Sequence, residues 1–308
     1  MVRSICQLLL FAFLICAAQP AAAWYPRRAA EGTVAELRPG VKIGADRPYV
    51  IGPGETLMEI GLRAGLGFQA LVAANPGIKD PWLPGVGREI VLPYAALLPF
   101  GIAPGITINL AEFRLYLAEA SGDKWRVRIY PIGLGRAGWE TPEGEYTLIN
   151  KVLDPTWTPP DSLRAEKPEL AKTVPPGPTN PLGRFWLGLS APGVGLHGTN
   201  QPYGVGRRVS HGCIRLYPDD IADLAARVEI GTPVRILYQP YKIGMTEQGL
   251  LLEIHADYLN RFSEPGGADP HPWPAALPDP TPAQARVLTA ATGVVTLVPA
   301  LSGPGAER

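Results

Sequence analysis

The sequence predicts a mostly β protein with a small α/β module towards its N-terminal end. The chain of 308 residues contains 35 glycines and 35 prolines, which interrupt helices and favour turns between short strands. Between residues 101 and 238, short apolar runs alternate with turn residues, a pattern typical of a β-sandwich or barrel. Residues 48–94 differ, because two short helical segments lie there between two strand-like runs. A chain of this length is enough for about two domains.

The charge balance gives no indication of a polyanionic partner. Lysine and arginine together number 28, and aspartate and glutamate also number 28, so the formal net charge is zero. A protein that binds nucleic acid or an anionic membrane surface through a broad electrostatic field would carry an excess of positive charge. Neither class of partner is therefore expected.

The N-terminus is predicted to be a cleavable secretory signal over residues 1–23. Arg3 supplies the positive start, an apolar run follows over residues 5–18, and small residues end the segment at Ala23. The apolar run is shorter than the ~20 residues that a membrane-spanning helix needs. We expect cleavage after Ala23, followed by a lead-in segment over residues 24–47 with one short strand.

Residues 48–94 are predicted to form a strand, two short helices and a closing strand. Thr56 is a good N-cap for a helix over residues 57–64, and Glu59 completes a capping box. A second helix is expected over residues 68–74, ended by an Asn-Pro-Gly sequence. The closing strand is expected around residues 88–93.

The region from residue 101 to residue 238 is predicted to be a β domain with one late helix. Arg126 and Arg128 alternate with Val127 and Ile129, which indicates a strand with one wet and one buried face. The predicted elements are strands over residues 106–109, 112–117, 125–130, 145–149, 185–189 and 231–238, and a helix over residues 221–228.

Three further segments are expected to be less regular or peripheral. The proline-dense stretch 154–183 is too long for an ordinary connection, so we interpret it as a lid that shapes a substrate groove. Its Trp157 could contact substrate, whereas Trp186 after it is expected in the core. Residues 239–260 are predicted to form a β-hairpin, and residues 261–308 a mobile tail with a weak helix near residues 284–291.

One cysteine remains once the leader is removed. Cleavage takes away Cys6 and Cys16, so Cys213 could form no internal disulfide, and an unpaired thiol in an oxidising compartment needs a reason. It lies in Ser-His-Gly-Cys, with His197 sixteen positions upstream. A thiol attacks as its thiolate and needs a base or cation nearby, and Gly212 allows a tight turn that exposes N–H groups to a developing oxyanion. This combination favours nucleophilic acyl transfer.

Other interpretations of these residues stay open. A single cysteine is often a small buried hydrophobic residue, and both histidines could be structural hydrogen-bonding groups. A zinc site built from His197, His211 and Cys213 is disfavoured, because the spacing is unlike that of zinc motifs and no fourth ligand is evident. No metal or other cofactor is expected. A papain-type protease is weakened by the chain order, in which histidine precedes cysteine.

The motif resembles the signature of the L,D-transpeptidase (YkuD-type) catalytic domain. The matching residues are His197, a glycine-rich loop over residues 198–209, then Ser210-His211-Gly212-Cys213-Ile214-Arg215. The turn Thr141-Pro-Glu-Gly144 also matches. The resemblance implies a YkuD-type β-sandwich domain over residues 101–238, of the Gram-negative periplasmic branch that includes ErfK, YbiS, YcfS and YnhG.

The flanking segments carry weaker resemblances. The sequence Gly54-Glu-Thr-Leu57, then Asn75-Pro76 and Leu92-Pro93, is similar to a LysM module, which implies peptidoglycan glycan binding by residues 48–94. A module that only braces the catalytic domain is the open alternative. The hairpin over residues 239–260 resembles the C-terminal extension of the periplasmic branch.

The resemblance implies a reaction and a set of roles. Cys213 would attack the tetrapeptide stem of peptidoglycan, release D-alanine and pass the acyl group from a thioester to an amine, giving a 3→3 cross-link or a protein anchored to the wall. An outer-membrane lipoprotein or another wall-anchored protein is a further expected partner. The implied roles are nucleophile for Cys213, proton donor and acceptor for His197, orienting group for His211, backbone oxyanion donor for Gly212, and substrate binding for Arg215, Ser210 and Thr199.

Several alternatives to this function remain at the level of sequence. The same cysteine could serve an L,D-carboxypeptidase or another hydrolase, or the chain could be a peptidoglycan-binding protein without activity. Arg215 could equally form a structural salt bridge behind the site. His255 and His271 are expected to be non-catalytic. The signal and the resemblance together predict a periplasmic location.

Overall fold

The computed structural model describes residues 31–261 and 281–299. The predicted signal over residues 1–23 lies outside the described residues, as does much of the predicted tail. The strands are β1 (Thr33–Ala35), β2 (Lys42–Ile43), β3 (Arg47–Val50), β4 (Glu89–Leu92), β5 (Ala96–Leu97), β6 (Gly105–Asn109), β7 (Arg114–Ser121), β8 (Lys124–Pro131), β9 (Leu134–Gly135), β10 (Gly144–Leu153), β11 (Phe185–Leu189), β12 (Gly195–His197), β13 (Arg208–Ser210), β14 (Ile214–Arg215), β15 (Pro233–Leu237), β16 (Tyr241–Thr246), β17 (Gly249–Ile254) and β18 (Thr296–Pro299). The helices are α1 (Leu57–Ala64), α2 (Phe68–Ala74), α3 (Asp161–Glu166), α4 (Pro218–Arg227) and α5 (Pro282–Ala290).

The N-terminal module has the predicted order of strand, two helices and strand. Strands β3 and β4 pair in antiparallel fashion around α1 and α2. The capping box between Thr56 and Glu59 is present, and both helices have the predicted bounds. Gly65 ends α1 with a φ of 63°, a left-handed conformation that a side chain would disfavour. No single helix in the described chain is long and apolar enough to cross a membrane.

The mostly β prediction for the larger domain is confirmed. Nine strands form one continuous sheet in the order β1-β8-β7-β6-β15-β10-β11-β12-β14. Strand β10 pairs with β15 through residues 144–147 and with β11 through residues 148–153, and the register shifts between Leu148 and Asn150. A bulge of this kind bends a strand, so the sheet curls around its apolar core. The predicted β-sandwich is thus formed by a single sheet that curls over its own core.

Two of the predicted boundaries that differ from the structure have clear local reasons. The strand predicted over residues 112–117 begins only at Arg114, because Leu110–Glu112 form a 3₁₀ turn and Phe113 has a φ of 55°. Helix α4 begins at Pro218, three residues before the predicted start. Proline is favourable there because its fixed φ suits the first helical position and its missing N–H has no helical partner to lose.

The tail differs from the mobile segment that was predicted. The hairpin of β16 and β17 is present, but β18 adds a third strand by pairing with β17. Helix α5 precedes β18, and Thr281 and Gln284 form a capping box at its start. Val298 is buried against Leu252 and Ile254. The short segment from Thr281 to Pro299 is thus ordered, because its apolar residues complete the hairpin's small core.

The N-terminal module contacts the glycine-rich loop of the predicted catalytic motif. The N–H of Phe68 donates to the Val205 carbonyl at 3.4 Å, and that of Gln69 donates to the Gly206 carbonyl at 3.3 Å. Gly206 has a φ of 78°, and a Cβ there would meet the Phe68 nitrogen at 2.3 Å. The close approach of the two backbones requires glycine at this position.

A buried ionic cluster joins the sheet to the C-terminal hairpin. Lys242 donates to Glu112 at 2.6 Å and lies 2.9 Å from Glu253. Arg114 lies 2.6 Å from Glu253 and 3.1 Å from Glu112, and His255 lies 2.9 Å from Glu253. All five side chains are buried. Two carboxylates therefore face two cations with a histidine at the edge.

Candidate active site

Parallel pairing of β12 and β14 brings the two ends of the predicted motif together. His197 ends β12 and pairs with Arg215 of β14, and Leu196 pairs with Ile214. Cys213 immediately precedes β14. Because neighbouring strands are about 5 Å apart, the sixteen-residue separation in sequence becomes a separation of one strand in space.

Cys213 and both motif histidines line one cleft of ≈ 470 Å³. The motif and the proline-dense segment 154–183 supply most of the lining, and the interpretation of that segment as a lid remains a prediction. The lining residues are Val152, Pro155, Thr156, Trp157, Thr158, Pro160, Leu163, Pro181, Leu182, Trp186, Gly193, His197, Ser210, His211, Cys213 and Arg215. Apolar residues dominate the wall that the proline-dense segment supplies.

The thiol of Cys213 is half-buried at this cleft. Its Sγ lies 3.5 Å from the Gly193 carbonyl oxygen. Burial raises the pKa of the Cys213 thiol, while an N–H from Gly195 and the positive charge of Arg215 lower it. Burial has the largest effect, so the resting group is the thiol rather than the thiolate.

His197 is held as a neutral imidazole. Its Nδ1 lies 2.6 Å from the Gly198 carbonyl oxygen, which can only accept, so Nδ1 carries the proton and Nε2 has a free lone pair. Burial, and to a smaller extent the Arg215 charge, lower the pKa of His197 to about 3, and the hydrogen bond to the Gly198 carbonyl opposes both effects. Trp186 stacks on the ring with 6.0 Å between centroids. Trp186 therefore lines the cleft, although the sequence predicted a core position.

His211 contacts a carboxylate that sequence reasoning missed. Its Nε2 lies 3.0 Å from Arg136 Nη2 and 3.3 Å from Glu166 Oε2. Arg136 also binds Glu166, with distances of 2.6 and 2.5 Å to the two carboxylate oxygens. Glu166 ends α3 in the proline-dense segment and reaches the motif only through tertiary folding. No local sequence signal connects it with His211, 45 residues away.

Arg215 enters the cleft without an acidic partner. Its backbone exchanges two hydrogen bonds with Gly133, at 2.8 and 2.9 Å. Its buried Nε has no hydrogen-bond partner, and no carboxylate of the described residues forms an ion pair with it. The alternative of a salt bridge behind the site is therefore not formed within the described part of the chain. Burial lowers the pKa of Arg215, and interaction with Cys213 opposes this effect. A guanidinium keeps its positive charge in proteins.

The remaining predicted site residues, Ser210, Gly212 and Thr199, differ in how they relate to the thiol. Ser210 donates its hydroxyl to the Cys213 carbonyl at 2.5 Å. Gly212 has a φ of 100°, a conformation that L side chains rarely adopt. The Thr199 hydroxyl is buried and accepts from the Gln201 N–H at 2.9 Å. Thr199 is not among the residues that line the cleft, so its predicted contact with substrate has no support here.

The arrangement that could hold a metal ion lies away from the cleft. Within residues 31–261 and 281–299, the side chains whose ligand atoms converge are Glu112, Glu253 and His255. Lys242 and Arg114 already neutralise both carboxylates there. The cluster therefore fits poorly to a divalent cation, which would have to displace two ion-paired side chains.

Comparisons with known proteins agree with the motif. The YkuD family model, described as the L,D-transpeptidase catalytic domain, matches residues 103–236. The probable L,D-transpeptidase YcfS of Escherichia coli strain K12 is 38% identical over 245 residues, which cover 76% of this chain and 74% of YcfS. The probable L,D-transpeptidase ErfK/SrfK of Salmonella typhimurium is 39% identical over 207 residues, or 65% of this chain and 66% of that protein. The chain belongs to the YkuD family of L,D-transpeptidases.

Proposed function

We propose that this enzyme transfers peptidoglycan stem peptides through a thioester on Cys213. The observation that carries the proposal is a single cleft holding a thiol, an imidazole with a free Nε2 and a cation without an acidic partner. These are a nucleophile, its base and a site for a substrate carboxylate. The substrate class follows from membership of a family of L,D-transpeptidases.

In the proposed acylation, His197 Nε2 accepts the proton of the Cys213 thiol as the sulfur attacks a carbonyl carbon. The carbonyl belongs to the L-centre of the third residue of a tetrapeptide stem. The C–S bond forms, and the C=O electron pair moves to oxygen to give a tetrahedral oxyanion. When the oxyanion collapses, the C–N bond breaks, His197 returns its proton to the leaving amine and D-alanine departs.

Deacylation reverses these roles. An acceptor amine attacks the thioester and gives its proton to His197, and the thiolate leaves and is reprotonated. With the D-centre amine of diaminopimelate on a second stem as acceptor, the product is a 3→3 cross-link. With a protein lysine, for example on an outer-membrane lipoprotein, the product is a protein anchored to the wall.

Backbone N–H groups beside the sulfur are the proposed oxyanion donors. Within the described residues, neither the Gly212 N–H nor the Cys213 N–H forms a hydrogen bond. Donors that are already oriented and uncommitted stabilise negative charge at little reorganisation cost. The left-handed backbone of Gly212 determines how these groups are aimed.

Arg215 is proposed to bind a substrate carboxylate. Stem peptides carry several carboxylates close to the scissile bond and to the acceptor amine, and a guanidinium binds a carboxylate through two parallel hydrogen bonds. The same charge lowers the pKa of the Cys213 thiol and so favours the attacking form. His211 is proposed to fix the cleft wall through Arg136 and Glu166.

The cleft wall favours transfer to an amine over hydrolysis. Pro155, Trp157 and Leu163 line the same cleft as Cys213 with apolar surface, and we propose that this surface limits the access of water to the thioester. An L,D-carboxypeptidase that uses the same cysteine is the second candidate. It differs only in whether water or an amine resolves the thioester.

The N-terminal module is proposed to bind glycan in the manner of LysM modules. Trp82, Leu83 and Val86 of the loop before β4 are exposed, with 54%, 79% and 65% of their surface accessible. Exposed apolar and aromatic groups on a small module suit stacking against sugar rings. A periplasmic location is proposed from the predicted signal over residues 1–23.

Product analysis tests the proposal directly. The purified protein and its Cys213→Ala variant are incubated with disaccharide-tetrapeptide, and products are followed by mass spectrometry. We expect dimers lacking one D-alanine, and a fall of roughly 10⁴-fold or more in the variant. Cys213-dependent tripeptide alone would establish the carboxypeptidase instead. Equal turnover by both proteins would overturn the assignment of Cys213.

A further inference from the structure

The segment over residues 133–136 is hydrogen-bonded to the backbone of the catalytic motif. The backbone of Gly133 is hydrogen-bonded to that of Arg215. The Leu134 N–H donates to the Arg207 carbonyl at 2.9 Å, and the Arg136 N–H donates to the Ser210 carbonyl at 2.9 Å. Strand β9 pairs in parallel with β13 here. These bonds fix the motif backbone up to residue 210 and again at residue 215. The residues between them contain the nucleophile.

Thr141 supplies the missing attachment through its side chain. Its Oγ1 donates to the Gly212 carbonyl at 2.9 Å and accepts from the Gly135 N–H at 3.1 Å. The residue is 5% exposed, so no solvent competes strongly for the hydroxyl. Because the Gly135 N–H can only donate, the hydroxyl proton is left for Gly212. Both bonds therefore have a determined direction.

The anchored carbonyl controls the N–H on the other side of the same peptide. In a trans peptide the C=O and the N–H point in opposite directions. The Gly212 carbonyl points towards Thr141, so the Cys213 N–H points away from it. That N–H forms no hydrogen bond within the described residues. A glycine with a φ of 100° offers little steric resistance to rotation of the adjoining peptide, so a specific bond is needed to hold its orientation.

We propose that Thr141 is a positioning residue that aims the Cys213 N–H at the oxyanion of the acylation step. The inference rests on the proposed function of Cys213. The Thr141 hydroxyl touches neither sulfur nor substrate. It acts by excluding the rotated peptide, in which the Gly212 carbonyl would turn its negative end towards the developing charge.

The test compares Thr141→Val, which keeps the shape and loses the hydroxyl, with Thr141→Ser, which keeps the hydroxyl. Thr107→Val is the matched control, since Thr107 is fully buried in the same domain and its hydroxyl has no partner. Acylation of Cys213 by a carbapenem is followed by intact-mass spectrometry, because attack on its carbonyl also forms an oxyanion. We expect roughly 10- to 100-fold slower acylation in Thr141→Val, below the ~10²–10³-fold effect of deleting a direct donor. Thr141→Ser and Thr107→Val should stay close to wild type.

Alkylation by iodoacetamide separates aiming of the N–H from a general loss of structure. Displacement at a saturated carbon forms no oxyanion, so Thr141→Val should alkylate at the wild-type rate and with the wild-type pH dependence. Equal slowing of alkylation and acylation, or wild-type acylation in Thr141→Val, would overturn the proposal. If the wild type acylates with carbapenem but turns over no tetrapeptide, the proposed function fails while the role of Thr141 stands. If carbapenem leaves Cys213 unmodified, both fail.

Discussion

Within the part of the chain that the structure describes, two polar groupings in the interior are built in opposite ways. In the ionic cluster, the carboxylates of Glu112 and Glu253 meet the cations of Lys242 and Arg114, and each charged group has at least two partners. In the cleft, Arg215 has no carboxylate partner in the described chain, and its Nε is left without a hydrogen bond. The charges of the cluster are balanced among themselves, whereas the charge of Arg215 in the cleft is not balanced by a neighbouring carboxylate.

Under the proposed function, the difference separates groups that hold the fold from groups that would act on a substrate. A buried charge without a partner is unfavourable, and it persists where binding or catalysis makes use of it. Each grouping contains a histidine, so histidine alone does not distinguish them. His255 lies against a carboxylate, while His197 faces a backbone carbonyl and keeps Nε2 free. The hydrogen bonds of His197, rather than its residue type, distinguish it from His255 as the proposed base.

The largest expected effect comes from breaking the complete cluster. Lys242→Met leaves Glu112 and Glu253 with one cation between them, and an uncompensated buried charge costs about 3–5 kcal/mol. We expect a loss of that size in the free energy of unfolding, measured by urea denaturation. Turnover per folded molecule should be unchanged.

The double variant Lys242→Met/Glu253→Gln supplies the control for this change. It restores the balance of one cation to one carboxylate, so part of the lost stability should return, and the coupling between the two sites follows from the mutant cycle. A Lys242→Met protein as stable as wild type would show that the cluster does not support the fold.

The opposite change is expected at the incomplete site. Arg215→Met removes a partly buried cation that has no partner, so the free energy of unfolding should stay the same or rise. Without the cation, kcat/KM for tetrapeptide should fall roughly 10- to 100-fold, the size of a lost hydrogen bond to a charged group. Arg215→Lys keeps the charge but loses the planar guanidinium group, so its kcat/KM should lie between the values of the wild type and of Arg215→Met. A marked loss of stability with full activity would place Arg215 among the structural residues.

The smallest expected effect concerns the pH dependence of the thiol. Burial raises the pKa of Cys213 and lowers that of His197, so thiol and neutral imidazole coexist at neutral pH. The rate of alkylation by iodoacetamide should therefore increase steadily with pH, without the acid plateau of a thiolate–imidazolium pair. Because the Arg215 charge lowers the pKa of Cys213, Arg215→Met should move the profile to higher pH. A plateau below pH 6 would contradict the neutral pair.

Features that depend on residues close in sequence were predicted, whereas features that depend on tertiary contacts were missed. The capping box of Thr56 and Glu59 defined α1 because its partners lie three residues apart. The resemblance of the motif to the family signature implied that His197 and Cys213 act together, and both line one cleft. Thr141 and Glu166 were missed because their partners lie 71 and 45 residues away, where only folding brings them into contact. The order in residues 281–299 was missed because α5 and β18 are stabilised by contacts with the hairpin.

The hydrogen bonds from Phe68 and Gln69 to the loop at Val205 and Gly206 bear on how proteins of this family can be truncated and recombined. A catalytic domain cut free of its N-terminal module would lose the donors that serve Val205 and Gly206, and with them the bracing of the loop that leads to Cys213. Weak activity after such a truncation would then report a loosened loop as much as a missing glycan anchor. In chimeras, the module and the catalytic domain are better exchanged as a matched pair than as interchangeable cassettes.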